Sequence, residues 1–595
     1  MTTPFKSDTY REVTPAAIAL GVLFGVLLSA CFTYAGLLIG FTIGGSAVAA
    51  ILGFGVLRGI LGRGTIVENN INQTIASGIN ISTAGIIFTV PAFYLMNVRF
   101  NPVLVGGAAV AGALLGVFFI IPIRKQMIDI DRLRFPTGTA VAAVLRAPGA
   151  GVAKARLLVA GIAVSAIVYF LSQFPIVFWN GSKLFGISDS LLPDKVNVGK
   201  LLGLPAYVDM VWAVSLFSLG AGFITGRPGL VVLAGGILAY WVITPAAVAW
   251  GWIPSELIEN YNDAQGKALW KAGSAISAWA HDRLNRPIGI GMLIGGALTG
   301  IALAFPSIRA AFSSLRRASL GGDESEELPV EFLYAGAGAA FLLLFGTTYL
   351  SSEIGLLGSA VAAFVGTIWL GLAGLIVAQA TGMTDWSPIS GLTLIAVVLL
   401  LLLTNNSVGT AILVGAAVCV AMAQCADMMQ DLKTGHLVGS LPRRQQIVQL
   451  AFVGIGPIVC LAVIEILWRT LGFGPGHDLT APQAQALQAA VQGVIGGEVP
   501  WPKYIGGAFI GGALGLTGIP GLGVLVGLSM YLPLSYILPY GLGCLLNIGA
   551  SGLKGSRWVE ERGVPFAAGL LVGEPLVVLL QSLLIIAGIV QAPGG

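Results

Sequence analysis

Residues 389–446 read ISGLTLIAVVLLLLLTNNSVGTAILVGAAVCVAMAQCADMMQDLKTGHLVGSLPRRQQ. The apolar runs Ile389 to Leu403 and Val408 to Val420 are each the stuff of a membrane helix, and the second passes directly into the polar block 421–446. That block gathers Lys433, His436, Arg443, Arg444, Asp427, Asp431 and four glutamines in a chain that is 56% apolar and only 10% charged. An ionised side chain at the centre of a bilayer costs at least about 2.5–3.5 kcal/mol, so charges beside a span mark an ion or substrate path.

The same pattern extends outward over the whole chain. With 595 residues and a mean hydropathy of +0.89, it is too long and too apolar for one soluble core. Apolar blocks recur from one near Ala16 to one near Phe566, about sixteen elements at about 20 residues per crossing. The expected fold class is all-α, a polytopic helical protein of the cell membrane in contact with the lipid bilayer. The first block runs from Ala16 past Gly40 without an obvious small-residue cleavage site and reads as a span, not a removed signal. A net charge of +4, with no dense basic run alternating with aromatic residues, argues against nucleic acid as a partner. Lys6, Arg11, Lys154, Arg156, Arg309, Arg316 and Arg317 flank spans and mark cytoplasmic ends. Cys31, Cys419, Cys425, Cys460 and Cys544 lie in or beside apolar runs without a CxxC pair and read as reduced packing residues.

The 83 glycines sit inside apolar runs, where small residues let helices approach closely; such faces permit a homodimer without requiring one. GRPGLVVLAGG from Gly226 and GIPGLGVLVGL from Gly518 share a GxPGLxVLxG pattern. This match predicts two pseudo-repeated halves, residues 1–305 and 330–595, joined by a charged connector over residues 306–329. Residues 181–206 and 251–286 read as extramembrane, the second with an interfacial amphipathic helix.

Several segments call for a reason to be in a membrane. In ENNINQTIASGIN, Asn69, Asn72, Gln73, Ser77 and Asn80 share one helix face, which lines a wet cavity or bonds to a neighbouring helix. In FPTGTAVAAVLRAP, Pro136 and Pro148 bracket eleven residues, a helix of roughly 16 Å, about half a bilayer core. Pro136 suits a first turn, and Thr137 and Thr139 put hydroxyls at an N-terminus whose free N–H groups attract anions. The segment is a re-entrant half-helix facing substrate or a helix in a cytoplasmic loop. Asp385 precedes Pro388 at the mouth of the Ile389 to Leu403 span, as a helix cap or as a carboxylate for a proton or an amine. Gln424, Asp427 and Asp431 fall at i, i+3 and i+7, one face with two carboxylates that can share a proton, unless Lys433 and Arg443 neutralise them. Glu574, beside Pro575 in LLVGEPLVVLL, lies inside the last apolar run and is a further proton-carrier candidate.

Taken in order, NQTIASG with IIFTVPAFYLM, LRFPTGTA, TGMTDWSPISG, ADMMQDLKTGHLVGSLPRRQ, LTAPQAQAL and LLVGEP resemble the oligopeptide transporter family over most of the chain. The NPG and KIPPR motifs of its peptide-transporting fungal and plant branch do not occur, and SPISG replaces the NP-containing form. The likeness is therefore closer to the yellow-stripe-like and prokaryotic group. It implies a proton-coupled symporter for small oligopeptides or peptide-like metal chelates, built from re-entrant or broken helices, with no bound cofactor or metal of its own and no catalytic residues. The alternative from the residues alone is an intramembrane magnesium-dependent enzyme of prenyltransferase type using Asp427 and Asp431, although no second aspartate-rich cluster stands in the other half. No HExxH or GxSxG motif supports hydrolysis.

Overall fold

The computed structural model describes residues 11–40, 44–62, 64–146, 148–173, 192–205, 207–254, 257, 270–303, 327–351, 354–385, 387–475, 477, 479–496, 500–519 and 521–590. Lys6, Arg309, Arg316, Arg317 and most of the expected connector lie outside the described residues, as do parts of both expected extramembrane segments (181–191, 206, 255–256 and 258–269).

Among the described residues, eleven helices are long and apolar enough to cross a membrane, and four apolar helices are shorter, at 10–17 residues. The protein is a mostly α-helical, multi-pass integral membrane protein. The helices used below are α1 (Pro15–Ile39), α2 (Ser46–Leu57), α3 (Ile66–Asn80), α4 (Pro102–Ile120), α5 (Pro136–Leu145), α6 (Leu216–Thr225), α7 (Gly355–Thr384), α8 (Ile389–Leu403), α9 (Val408–Val438), α10 (Pro442–Phe452) and α11 (Val564–Ile586).

The chain forms two compact units, and each draws on the sequence before and after residues 306–326. One comprises Met1–Arg156, Ile301–Glu465 and Gln483–Gly497. At its centre is α9, buried almost without interruption from Thr410 to Gly435. The first part of the polar block 421–446 continues this helix through Val438, where Gly439 turns left-handed at φ 86°, and the block resumes as a helix at Pro442. Close packing explains the depth of burial. A Cβ at Gly112 of α4 would collide with the Ala417 carbonyl of α9, so the glycine lets two backbones touch. On the other side, α3 starts at a capping box in which Thr65 accepts from the Glu68 N–H at 3.1 Å and Glu68 reaches back to the Thr65 N–H. Ile71, Ile75 and Ile79 of α3 then pack with Ala17 of α1 and Val448 of α10. Lipid tails are as apolar as these side chains, so this ridge contributes packing and not desolvation.

The other unit comprises Leu157–Gly300, Ile466–Pro482 and Glu498–Gly595. It contains a departure from the all-α expectation: Lys195–Asn197 (β1) pairs antiparallel with Val211–Ala213 (β2), Val196 opposite Trp212. Both strands fall between apolar helices, where β-branched and aromatic residues satisfy their backbone groups across a short ladder. The two GxPGLxVLxG segments agree at their first glycine and differ at their second, which is right-handed at Gly229 (φ -67°) and left-handed at Gly521 (φ 72°). Gly226 and Gly518 both have positive φ, 62° and 81°, and the helices that follow begin at Leu230 and Leu522. Those two helices pack together, with Gly235 of one against Ser529 of the other.

Candidate functional site

Three helices meet along α9. Ser77 of α3 donates from Oγ to Asp427 Oδ1 at 2.7 Å, and one turn away Gln73 donates from Nε2 to Asp431 Oδ1. The four-residue spacing on both helices makes the two contacts successive rungs of one ladder. Ser46 of α2 hydrogen-bonds Ser77 Oγ at 2.7 Å. From α10, Gln445 Nε2 donates to Thr74 Oγ1 and to the Asp431 carbonyl, both at 2.9 Å. Gln449 Nε2 donates to Gln424 Oε1 at 3.2 Å, while Gln424 Nε2 donates to the Gly78 carbonyl at 2.7 Å and Ser82 Oγ at 3.1 Å. Asp427 is 4% exposed and Asp431 1%.

Lys433 and Arg443 do not neutralise this pair. Among the described residues neither aspartate is in an ion pair. Lys433 follows Asp431 by two positions, which on a helix turns it to another face, where its acidic neighbour is Asp129. Asp129 also pairs with Arg124 at 3.0 Å and His436 at 3.3 Å. Arg443 lies past the end of α9 and is exposed, and its neighbour Arg444 pairs with Glu12 at 3.1 Å.

The polar face of α3 divides. Gln73 and Ser77 turn to α9, whereas Asn69 and Asn72 donate to the Ala50 and Ala49 carbonyls of α2, at 2.8 and 3.2 Å. Asn80, also buried, closes the row beside Gly45. Because α3 is buried on every side, one polar face serves two neighbours. Missed in the sequence were Thr74, Gln445 and Gln449; the i, i+4 spacing of the two glutamines in QQIVQ was the available signal.

A second cluster lies at the N-terminus of α5. Asp385 ends α7 in a left-handed conformation, φ 64°, and its carboxylate accepts from the Thr137 N–H at 3.2 Å, Thr137 Oγ1 at 2.7 Å and Gln430 Nε2 at 3.2 Å. Asp385 is thus a helix cap, but of α5 and not of the adjoining α8. The anion that the free N–H groups of α5 attract is this carboxylate. Thr139 is exposed and bonds the Arg134 carbonyl at 2.7 Å. Gly138 lies flat against α9: its carbonyl accepts from Thr434 Oγ1 at 2.9 Å, and a Cβ there would strike the Gln430 carbonyl.

In the other unit, Glu574 of α11 sits at the start of α6. Its carboxylate accepts from the N-cap Ser215 Oγ at 2.9 Å and from the Phe217 N–H at 3.2 Å. Ser165 enters the α11 ladder there, donating to the Leu570 carbonyl at 2.9 Å and accepting from the Glu574 N–H at 3.1 Å. A buried carboxylate on a helix N-terminus is a stable pairing of charge and dipole.

Multiple apolar spans around buried, hydrogen-bonded carboxylates define a membrane protein with a polar interior, of the kind that moves solutes. Residues 12–585 match the family described as OPT oligopeptide transporter protein, and the chain belongs to that family. It is 27% identical over 626 residues to a Haemophilus influenzae protein named, provisionally, as an oligopeptide transporter, covering 93% of each chain. It is 25% identical to the probable metal-nicotianamine transporter YSL13 of Oryza sativa subsp. japonica over 80% of this chain and 68% of that one. The probable metal-nicotianamine transporter YSL6 of Arabidopsis thaliana is 27% identical over 65% of this chain and 58% of that one. Membership of a transporter family makes this a transport protein and not an enzyme, and the prenyltransferase alternative is withdrawn. Among the described residues no group of three or more His, Cys, Asp and Glu comes together as a metal centre.

Proposed function

We propose that the protein is a proton-coupled secondary transporter, a symporter that carries small oligopeptides or peptide-like metal chelates into the cell. The names of its Haemophilus and plant relatives support the two substrate classes. The missing NPG and KIPPR motifs favour the yellow-stripe-like and prokaryotic branch.

The observation that carries the coupling is the Asp427–Asp431 pair: two buried carboxylates, one helical turn apart, contacted by the neutral donors Ser77 and Gln73 and, among the described residues, by no cationic side chain. Two uncompensated charges in a membrane interior are strongly unfavourable, so the pair takes up positive charge when closed to water. A carrier that binds a proton there and releases it on the other side couples transport to the gradient. Gln424, Asn69, Asn72 and Asn80 hold the surrounding helices. Asp385 releasing Thr137 would expose the α5 N-terminus to a substrate carboxylate, with Thr139 beside it, and Lys433 lies one turn further along α9. Glu574 is a second carboxylate available to a proton. The fuller architecture we propose is about sixteen membrane elements in two pseudo-repeated halves, with α5 as a broken or re-entrant element; the paired GxPGLxVLxG segments support the repeat.

The test is electrogenic uptake into proteoliposomes under an inward proton gradient, with pools of di- to hexapeptides and, separately, iron–chelate complexes. Current with one pool identifies the substrate class and the coupling together. Folded protein that gives no current with either pool contradicts the proposal.

A further inference from the structure

Both aspartates of α9 are buried, so exchange of a proton with water requires an element to move. The contacts single out α10. Its Gln445 is wedged between α3 and α9: Nε2 donates to Thr74 Oγ1 and to the Asp431 carbonyl, both at 2.9 Å, and a Cβ on Gly435 of α9 would strike Oε1. One turn on, Gln449 lies against Gly78 of α3 and donates to Gln424 of α9 at 3.2 Å. The apolar anchor of α10 is at its far end, where Val448 joins the isoleucine ridge of α3 and Phe452 packs against it. Among the described residues, two carboxylates from distant parts of the chain fasten the near end. The N-cap residue Leu441 offers no side-chain cap. Glu12 supplies an acceptor from outside the helix: Oε2 accepts from the Leu441 N–H at 3.2 Å and Oε1 pairs with Arg444 at 3.1 Å. The strap carrying Glu12 is fixed two residues on, where Thr14 caps α1 and donates to Glu68 of α3 at 2.5 Å, while Val13 between them is 40% exposed. The second carboxylate is Glu327. Its Oε2 accepts from Gln446 Nε2 at 3.0 Å, Gln446 Oε1 accepts from the Leu328 N–H at 3.0 Å, and Arg124 pairs with the other oxygen.

We infer that α10 is the gate over the aspartate pair, held shut at its near end by two polar latches, Glu12 on Leu441 and Arg444, and Glu327 on Gln446. The inference rests on the reading of the pair as the coupling centre and adds the element whose movement lets that pair meet water. Opening swings the Leu441 end away while the Val448 and Phe452 end stays packed. The left-handed Gly439 in the turn before α10 and the break at Val453 and Gly454 after it take up the backbone change. Ser440 in that turn also accepts from Asn70 Nδ2 of α3 at 3.0 Å. All of these fastenings are hydrogen bonds or ion pairs and none is apolar packing. The Arg444 side chain is 33% exposed, so water replaces its contact with Glu12 readily. Gln445 and Gln449 leave no unpaired charge behind when they withdraw, which suits a surface that must part from α9 and return. Five of the eleven residues of α10 are arginine or glutamine.

The experiment places a thiol behind the gate. Thr74→Cys in the full chain puts it under Gln445, at a position with no exposure, and a water-soluble maleimide followed by peptide mass spectrometry reads its labelling rate. The five native cysteines, all buried, are internal references. In this background Glu12→Ala and Glu327→Ala should each speed labelling at position 74 about tenfold, the shift in local opening that follows loss of a hydrogen bond to a charged group. Labelling of Cys544, in the other unit, should stay as it was. Glu12→Gln keeps an acceptor for the Leu441 N–H and should fall between. If an alanine variant does not fold, Arg444→Gln, which removes only the charge facing Glu12, carries the expectation of faster labelling in its place. The exposed-residue change Arg557→Ala should have no effect. Unchanged labelling at position 74 in the folded latch variants, or an equal rise at Cys544, would overturn the gate. Proton-driven uptake separates the two readings. Faster labelling in the latch variants of a protein without proton-driven uptake keeps the gate and removes the coupling. Proton-driven uptake with unchanged labelling does the reverse.

Discussion

The contact between Ser77 and Asp427 permits a quantitative test of the buried ladder. Ser77→Ala removes two hydrogen bonds, to Asp427 Oδ1 and to Ser46 Oγ, each 2.7 Å. Among the described residues Asp427 Oδ2 has no donor, so the change leaves both oxygens of a buried carboxyl group without a partner there. A hydrogen bond to a charged group contributes about 1.5–3 kcal/mol, and an interhelical bond between neutral side chains in a membrane about 0.6 kcal/mol. Ser77→Ala should therefore lower the unfolding free energy by about 2–3.5 kcal/mol, the sum of those two contributions. In an Asp427→Ala background only the Ser46 bond is left to lose, and the same substitution should cost about 0.6 kcal/mol. The double-mutant cycle then gives a coupling energy of about 1.5–3 kcal/mol, measurable by denaturation of the four purified proteins in mixed detergent–SDS micelles. A coupling within about 0.5 kcal/mol of zero, the usual value for independent sites, would refute the claim that Ser77 holds Asp427.

Gly138→Val should destabilise the protein by about 1–3 kcal/mol, because any side chain there must push α5 off the Gln430 carbonyl of α9; a thermal melt equal to wild type would show that α5 is not held this closely. Asp385→Ala strips the cap from α5 and should cost about 0.5–2 kcal/mol, whereas Asp385→Asn, which keeps acceptors for Thr137, should cost less; equal losses would mean that the cap is not the source. Outside the membrane spans, burial pushes the Asp209 carboxyl above its ordinary 3.8, with the Val211 N–H and the Lys195 charge pulling the other way. The folded protein thus holds this proton more tightly than the unfolded chain, and the contribution of Asp209 to stability falls as pH rises through its folded value. Asp209→Asn should raise the melting temperature at pH 8 and leave it unchanged at pH 3; a gain at pH 3 equal to that at pH 8 would contradict the assignment.

The sequence made the membrane class and several helices legible because apolar length is a local property. Ile389 to Leu403 is α8 with the same ends, and the segment opened by Pro136 is the helix α5. The polar character of the block 421–446 beside a long apolar run was legible too, since charges there are costly wherever they point. Partnership was not. Asp385 caps a helix 248 residues away, and Glu574 finds Ser215 at a separation of 359, distances over which no periodicity carries information. The division of the α3 face between α2 and α9 was equally hidden, because spacing shows which residues share a face and not how many neighbours that face meets. Lys433 and Arg443 were attractive counter-ions by proximity in sequence, but helix geometry turns one aside and the helix end at Gly439 removes the other.

The central claim is that the Asp427–Asp431 pair couples transport to protons, and the most direct measurement is uptake by Asp431→Asn in proteoliposomes beside wild type. Asparagine keeps an acceptor for Gln73 and removes the titrating oxygen. The account predicts that the variant folds, that counterflow exchange of labelled for unlabelled substrate without a gradient continues, and that uptake driven by an inward proton gradient falls to the gradient-free level. Proton-driven accumulation at the wild-type level in Asp431→Asn would contradict it.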